Sequence, residues 1–327
     1  MSARRPWVWP LVPIYRAVLT VKESLRSEPK RLQWPVVSVG SLSAGGAGKT
    51  PVVIALTQML KARGWNVDVL SRGYGRRGSG VELVEGTDTR RFGDEPVLVA
   101  QRAEVPVWVG ADRYAAGVRA EDAVKDRGVH LLDDGFQHRR LARAVDVVLV
   151  TADDLDDALL PAGNLREPLH ELARADFVAV REEEADYVVP RVKPFLREAT
   201  LLWTLRRKLR FPEPLFVFGA GLRPVAFCAI ARPEGFAEML QEAGCGIVDT
   251  ILLRDHHAYL MSDIERIIEL AKQLNATGFV TTEKDAVKLT TEMRARLEML
   301  GPVIVVALDV EFVFPERVAR ELEARLG

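Results

Sequence analysis

Val36-Val-Ser-Val-Gly40 runs without interruption into Ser41-Leu-Ser-Ala-Gly-Gly-Ala-Gly-Lys-Thr-Pro51. A short apolar, β-branched run predicts a buried strand, and the glycine-rich turn after it delivers the chain to the start of a helix. At that point successive backbone amides converge on an anion, aided by the positive end of the helix dipole. Gly45, Gly46 and Gly48 permit the positive φ values and close backbone approach that such a cradle requires. Lys49 has the reach for the β- and γ-phosphates of a nucleotide, and the Thr50 hydroxyl suits Mg²⁺. Ser43, Ala44, Gly45, Gly46, Ala47, Gly48, Lys49 and Thr50 are therefore expected to form a nucleotide-binding loop. Ser43 stands where the strict pattern has glycine. Pro51 falls in the first helical turn, where its missing amide costs nothing.

Outward from this loop, short apolar runs alternate with helical patterns, the mark of β-α units and a mostly parallel sheet. Strands are expected at 36–39, 67–70, 107–109, 129–132, 145–150 and 177–180, with helices at 50–63, 95–103 and 113–126. The fold class is thus α/β, a doubly wound sheet of the P-loop NTPase type with a second, smaller α/β domain. The expected boundaries are an arm at 1–31, the nucleotide domain at 32–200, a linker at 201–214 and the second domain at 215–327. The basic stretch 201–211 reads as a connector of short strands, punctuated by Pro212 and Pro214. The second domain restarts at Leu215-Phe-Val-Phe-Gly-Ala-Gly221. Its clearest helix opens at Ser262-Asp-Ile-Glu265, read as a capping box. Strands at 278–281 and 303–308 follow.

The chain of 327 residues carries 45 Lys and Arg against 46 Asp and Glu. So even a balance excludes a general nucleic-acid binder, which needs a surplus of cations over phosphates. The charge is unevenly spread. Residues 1–31 hold seven cations (Arg4, Arg5, Arg16, Lys22, Arg26, Lys30, Arg31) and two anions, leaving 38 cations against 44 anions for the rest. Within this arm Pro6-Trp-Val-Trp-Pro-Leu-Val-Pro-Ile-Tyr15 is apolar and aromatic, yet far short of the roughly 20 apolar residues a spanning helix needs. Its prolines and the lack of a cleavage site argue against a signal peptide. Two readings of the arm stand side by side: an element lying in a membrane interface, and an amphipathic helix packed on the body. Cys228 and Cys245, each in an apolar stretch, are expected to be inert core thiols in a reducing compartment.

Val129-His-Leu-Leu-Asp133-Asp134 is an apolar strand ending in two acids, either a turn signal or the acidic element that serves Mg²⁺ opposite a phosphate loop. His138 is either a site contact or a surface residue. Gly73-Tyr-Gly75-Arg-Arg-Gly78 matches a dinucleotide fingerprint, but a strand rather than a helix is expected after it, so it reads as a cationic loop. Asp94, in Gly93-Asp-Glu-Pro96, is open to reading as a helix cap. Adjacent His256 and His257 point apart on a strand and make a poor metal pair, so no zinc is expected. A guanine reader would need Asn-Lys-x-Asp, and Thr282-Glu283-Lys284-Asp285 has the wrong spacing, which favours ATP. On residues alone, a P-loop kinase of a small soluble metabolite and a nucleotide-switch NTPase acting on a partner protein both stay open.

Taken together, the phosphate loop, Ser71-Arg-Gly-Tyr-Gly75, Gly93-Asp-Glu-Pro96, Asp133-Asp-Gly-Phe-Gln-His138, Leu159-Leu-Pro-Ala-Gly163, Leu165-Arg-Glu-Pro-Leu169, Ile230-Ala-Arg-Pro233, Asp255-His256 and Thr281-Thr-Glu-Lys-Asp285 resemble, in this order, the tetraacyldisaccharide 4′-kinase family. The departures are Ser41, Ala47 and Asn164, none of which removes an obvious chemical group. The resemblance implies ATP- and Mg²⁺-dependent phosphorylation of the 4′-hydroxyl of a tetraacyl glucosamine disaccharide 1-phosphate, a lipid A precursor, on the cytoplasmic face of the bacterial inner membrane. It implies two α/β/α domains joined by a two-stranded linker, a base pair formed by Asp94 and His256 beside Lys49, and Mg²⁺ served by Thr50, Asp133 and Asp134. Arg72, Arg113, Arg166 and His138 are candidates to hold the anionic lipid substrate. With the resemblance counted, the arm reads as an interfacial membrane anchor.

Overall fold

In the computed structural model, which describes residues 5–25, 27–124, 126–212 and 221–327, β1 (Val36–Ser41) is buried along its whole length. The other strands are β2 (Asn66–Ser71), β3 (Glu82–Leu83), β4 (Val107–Val109), β5 (Gly128–Asp133), β6 (Val145–Val150), β7 (Phe177–Arg181), β8 (Leu201–Arg210), β9 (Pro224–Cys228), β10 (Asp249–Leu252), β11 (Gly278–Thr282) and β12 (Val303–Phe312). They form one sheet in the order β10-β9-β11-β12-β8-β7-β6-β1-β5-β2-β4-β3. The pairings are parallel except β3 with β4 and β8 with β12. Central parallel strands are covered on both faces, which is why their sequences are near-continuous apolar runs.

The helices are α1 (Val12–Ser24), α2 (Lys49–Ala62), α3 (Thr89–Phe92), α4 (Asp94–Ala103), α5 (Arg113–Ala123), α6 (Ala152–Asp156), α7 (Ala185–Val192), α8 (Pro233–Glu242), α9 (Met261–Gln273), α10 (Glu283–Ala286), α11 (Thr291–Glu298) and α12 (Pro315–Leu326). Alternate strand residues face opposite layers. Val37, Val39, Val147 and Leu149 pack with α2, α4 and α12, while Val148, Val150, Val178 and Val180 pack on the other face with α7. The same alternation recurs beyond β12, where Val225 and Phe227 meet α9 and α11 while Ala226 and Cys228 meet α8. Both thiols are buried, which pushes Cys228 up to about 12 and Cys245 up to about 11.

Several local expectations are corrected. The stretch 201–211 is not made of short strands: β8 is a single ten-residue strand over Leu201–Arg210. Trp203 and Leu205 alternate into the core, and the cations are matched: Arg206 with Glu182, Arg207 with Glu183 at 2.8 Å, Arg210 with Asp309 at 2.8 Å. Arg210 thus pairs across to β12, while Arg206 and Arg207 pair with the 3₁₀ turn Glu182–Glu184 that follows β7. The capping box of Ser262 and Glu265 does not form; α9 starts one residue earlier, and the Asp263 carboxylate accepts the Leu260 amide at 2.8 Å. Helix α5 stops at Ala123, with Val124 extended. His256 and His257 lie in a turn after β10 rather than on a strand. The restart at Leu215 through Ala220 lies outside the described residues, as do Arg4 and Arg26 of the arm.

In the arm, a 3₁₀ turn over Pro6–Leu11 leads into α1. Val12 and Tyr15 pack on the body, and the Tyr15 hydroxyl donates to the Arg166 carbonyl at 3.0 Å. Trp7, Leu11, Ile14, Val18, Val21 and Leu25, spaced three and four apart, are exposed on another face. Among the described residues, no helix is long and apolar enough to cross a membrane.

Candidate active site

The glycine-rich loop leaves the carboxyl end of β1, the edge at which open parallel sheets bind ligands. Gly45, Gly46 and Gly48 adopt φ of 79°, 73° and 86°, and Gly48 caps α2. Ser43 is absent from the positive-φ positions, so a side chain is tolerated where the strict pattern has glycine. Ala44 donates its amide to the Asn164 carbonyl at 2.8 Å, which fixes the loop against the 159–165 segment. Lys49 turns back along the loop, with Nζ 3.3 Å from Ser41 Oγ and 3.4 Å from Asp134 Oδ1. Thr50 lies in the first turn of α2, beside it.

Val39 of β1 is in register with Asp133 of β5, which brings the acid pair to the same edge. The two acids have opposite surroundings. Asp133 is buried; Ser71 Oγ approaches its Oδ2 at 3.5 Å and its Oδ1 has no hydrogen-bond partner. Burial, with the charges of Glu95 and Asp134, pushes its carboxyl up to about 7. Asp134 sits in the left-handed region at φ 50° and is held in a fork by Arg166 at 2.7 and 2.8 Å. Burial would raise Asp134, but Arg166 and Lys49 bring it down to about 2. A buried carboxylate oxygen without a donor is a cation ligand in waiting, and Mg²⁺ takes one or two protein oxygens, with phosphate and water completing its shell. Thr50 and Asp133 fit that ion; both oxygens of Asp134 are already engaged by Arg166.

Asp94 opens α4, capped by Gly93 rather than capping the helix itself. Its carboxylate oxygens lie 3.0 and 3.2 Å from Nδ1 of His256, which arrives from the other side of the β8–β12 pair. Burial would raise Asp94, yet the His256 hydrogen bond and the Lys284 charge hold it below the usual carboxylate range. The same hydrogen bond lifts His256 above the usual imidazole value, against burial and Lys284. An ionised carboxylate can only accept, so Nδ1 carries the proton and Nε2 keeps the lone pair. His256 occupies φ 58°, a costly conformation for a non-glycine residue, in keeping with a side chain aimed by its turn. His257 diverges and pairs with Asp263 at 2.8 Å.

Lys284, Glu95, Asp255 and Tyr74, which surround this pair, were given no role at the site from the sequence. Lys284 Nζ lies 3.4 Å from His256 Nε2, 3.1 Å from Glu95 and 3.3 Å from Asp255. Burial alone would lower Lys284, but Glu95, Asp94 and Asp255 together raise it. Tyr74 stands with its ring 5.4 Å from that of His256. Their signal was membership of the Ser71–Gly75, Gly93–Pro96, Asp255-His256 and Thr281–Asp285 blocks, besides the rejected reading of Thr282–Asp285 as a guanine reader.

All four candidate anion holders gather around the acid pair. Arg113 is buried with an unpartnered Nε; burial and the nearby charge of Arg72 bring it down to about 10. Burial, then Arg113 and Arg143, push His138 down to about 4, so it is neutral. Arg166 is committed to Asp134.

A family model for tetraacyldisaccharide-1-P 4′-kinase matches residues 4–327. The tetraacyldisaccharide 4′-kinase of Koribacter versatilis is 43% identical over 290 residues, covering 86% of each chain. That of Chlorobaculum tepidum is 35% identical over 345 residues, covering 97% of this chain and 95% of its own. A crystal structure of the "apo" form of LpxK from Aquifex aeolicus in complex with ATP is 28% identical, covers 98% of both chains and has a TM-score of 0.75. An ATP-type phosphate loop, an acid pair at its edge and a match of this extent make one conclusion: the chain belongs to the tetraacyldisaccharide 4′-kinase family, the ATP-dependent kinases that phosphorylate the lipid A precursor.

Proposed function

We propose that the γ-phosphoryl group of ATP, held by residues 43–50, passes to the 4′-hydroxyl of a tetraacyl glucosamine disaccharide 1-phosphate under general-base assistance from the Asp94–His256 pair. The observation that carries this reading is the 3.0 Å contact between Asp94 and His256, 162 residues apart in sequence, beside the phosphate loop. A sugar hydroxyl is a weak nucleophile, and an imidazole whose Nδ1 is fixed by a carboxylate presents Nε2 to take its proton. The arriving hydroxyl replaces Lys284 at Nε2, and Lys284 retains Glu95 and Asp255. Lys49 offsets charge on the transferring group. Thr50 and Asp133 would hold Mg²⁺, which supplies charge neutralisation at the phosphates, while Asp134 fixes Lys49 and Arg166. Arg72 and Arg113 supply positive charge, and the neutral His138 a hydrogen-bonding ring, for the lipid's phosphate.

In this reading the chain works as two halves, 32–200 and 215–327, joined through 201–214, with residues 1–31 resting in the interface of an anionic bilayer. The exposed apolar stripe of α1 supports that placement, at the cytoplasmic face of the inner membrane where the lipid precursor and ATP meet. Labelled ATP, incubated with the lipid disaccharide 1-phosphate with and without detergent, tests it. Label is expected on the lipid, with a rate that depends on detergent or vesicles. Hydrolysis without transfer, or transfer to soluble sugars indifferent to detergent, would overturn it in favour of a switch NTPase or a small-metabolite kinase.

A further inference from the structure

The loop 229–232, between β9 and α8, lies over the phosphate loop. Ala231 Cβ is 3.5 Å from where a Cβ on Gly45 would stand, and Arg232 Nε is 2.8 Å from the corresponding point on Gly46. Any side chain at 46 would overlap the Arg232 side chain, so glycine here serves a second purpose besides its φ: it lets an arginine from the C-terminal half lie flat on the loop. Arg232 Nη2 donates to Thr151 Oγ1 at 3.2 Å and lies 3.2 Å from Asp153 Oδ2. Its side chain is 30% exposed, and that of Asp153 is 50% exposed. An ion pair this wet is weak, and a triphosphate in the loop is a stronger acceptor. Arg181, the other arginine at Gly46, donates to its carbonyl at 3.4 Å but is buried and fixed by Glu184 at 3.0 Å. Of the two, Arg232 has the freedom to turn its fork of N–H donors onto phosphate oxygens.

We propose that Arg232 is an arginine finger supplied within the chain, acting on the β–γ bridging oxygen and the γ-phosphoryl oxygens as the phosphoryl group moves. This rests on the kinase activity. In the step concerned, the bond from the sugar 4′-oxygen to the γ-phosphorus forms and the bond from that phosphorus to the bridging oxygen breaks. The electron pair of the broken bond stays on ADP, and the hydroxyl proton goes to His256. Negative charge grows on the bridging oxygen, where a guanidinium at Gly46 lies to meet it. Arg232 and His256 are carried by the same half, so base and cation reach the phosphate loop from one side, where Asp255 Oδ2 also stands 3.7 Å from the point a Cβ on Gly45 would occupy.

The test compares Arg232→Ala, Arg232→Lys and Asp153→Ala with the wild type, each first checked for an unchanged thermal midpoint without nucleotide. Turnover, ADP affinity and retention of labelled ADP by aluminium fluoride with Mg²⁺ are then measured. Arg232→Ala is expected to lose roughly 10²–10³-fold in kcat, as for removal of one transition-state donor. Its ADP affinity should stay within about threefold and its aluminium fluoride trapping should vanish, while Arg232→Lys regains little, lacking the fork. Asp153→Ala should retain turnover and trapping. Normal turnover or trapping in Arg232→Ala, a parallel loss of ADP affinity, or an equal loss in Asp153→Ala would overturn the proposal. Failure of the wild type to label the lipid would instead refute the acceptor assignment, leaving the trapping comparison intact.

Discussion

Replacing Ile14 of α1 and Leu25, which follows it, by serine removes two of the largest exposed apolar groups of the arm, which are 61% and 80% exposed. Burying a whole aliphatic side chain of this size is worth about 1.5–3 kcal/mol. Scaled by the fractions exposed, the pair accounts for about 2–4 kcal/mol of transfer into an acyl boundary. Since 1.4 kcal/mol is tenfold, the double variant should bind vesicles roughly 30- to 1,000-fold more weakly. Co-sedimentation with phosphatidylglycerol-containing vesicles reads this directly, and activity on substrate dispersed in detergent should be retained. Neither side chain belongs to the packed core, so the thermal midpoint should hardly move. Vesicle binding within about threefold of the wild type would refute the reasoning, and a large fall in the thermal midpoint would show that α1 is a packing element only.

Three further outcomes are expected. His256→Ala and Asp94→Ala should each lower turnover by about 10²–10⁴-fold with ATP affinity little changed, measured by steady-state kinetics and nucleotide titration. A base acts when deprotonated, so the acid limb of kcat/KM should lie above the usual imidazole value. Asp94→Asn removes the hydrogen bond that raises His256 and should move that limb to lower pH, whereas Lys284→Met removes a charge that lowers it and should move the limb to higher pH; coincident profiles would exclude His256 as the titrating base. Finally, buried His130 is clamped by Asp68 at 2.7 Å and Glu121 at 3.3 Å, and stacks on Trp34. Burial would lower His130, but both acids raise it, and burial raises Asp68 as well. A pKa raised on folding stabilises below the unfolded value and loses that contribution as pH climbs through the folded one. Thermal midpoints should therefore fall as pH rises above about 6.5, and His130→Gln should flatten that slope.

What could be read from the chain was what depends on neighbours in sequence. The phosphate loop and the central strands announce themselves because apolar runs, glycines and helix starts are local signals. Strand β8 did not, since its four cations read as a linker until Glu182, Glu183 and Asp309, distant in sequence, are placed beside them. Asp133 and Asp134 are indistinguishable as letters; only the arrival of Arg166 on one and not the other separates them. The meeting of Asp94 with His256 came from family resemblance and from no spacing rule, while Lys284 was weighed only as part of a guanine reader and Arg232 only as a member of a family block, because nothing local in the sequence shows which partners such cations meet. The His130 cluster joins β2, β5 and α5, a set that no single window contains.

The antiparallel pair β8–β12 carries a mechanical consequence. A rope of loop residues would let the C-terminal half wander in any direction, but a ladder of rungs from Leu205 opposite Phe312 to Arg210 opposite Ala307 resists stretch and shear while yielding to twist. The half beyond it is therefore tied to the phosphate-loop half by backbone hydrogen bonds within one continuous sheet, and any rotation of one against the other has to be carried by these rungs.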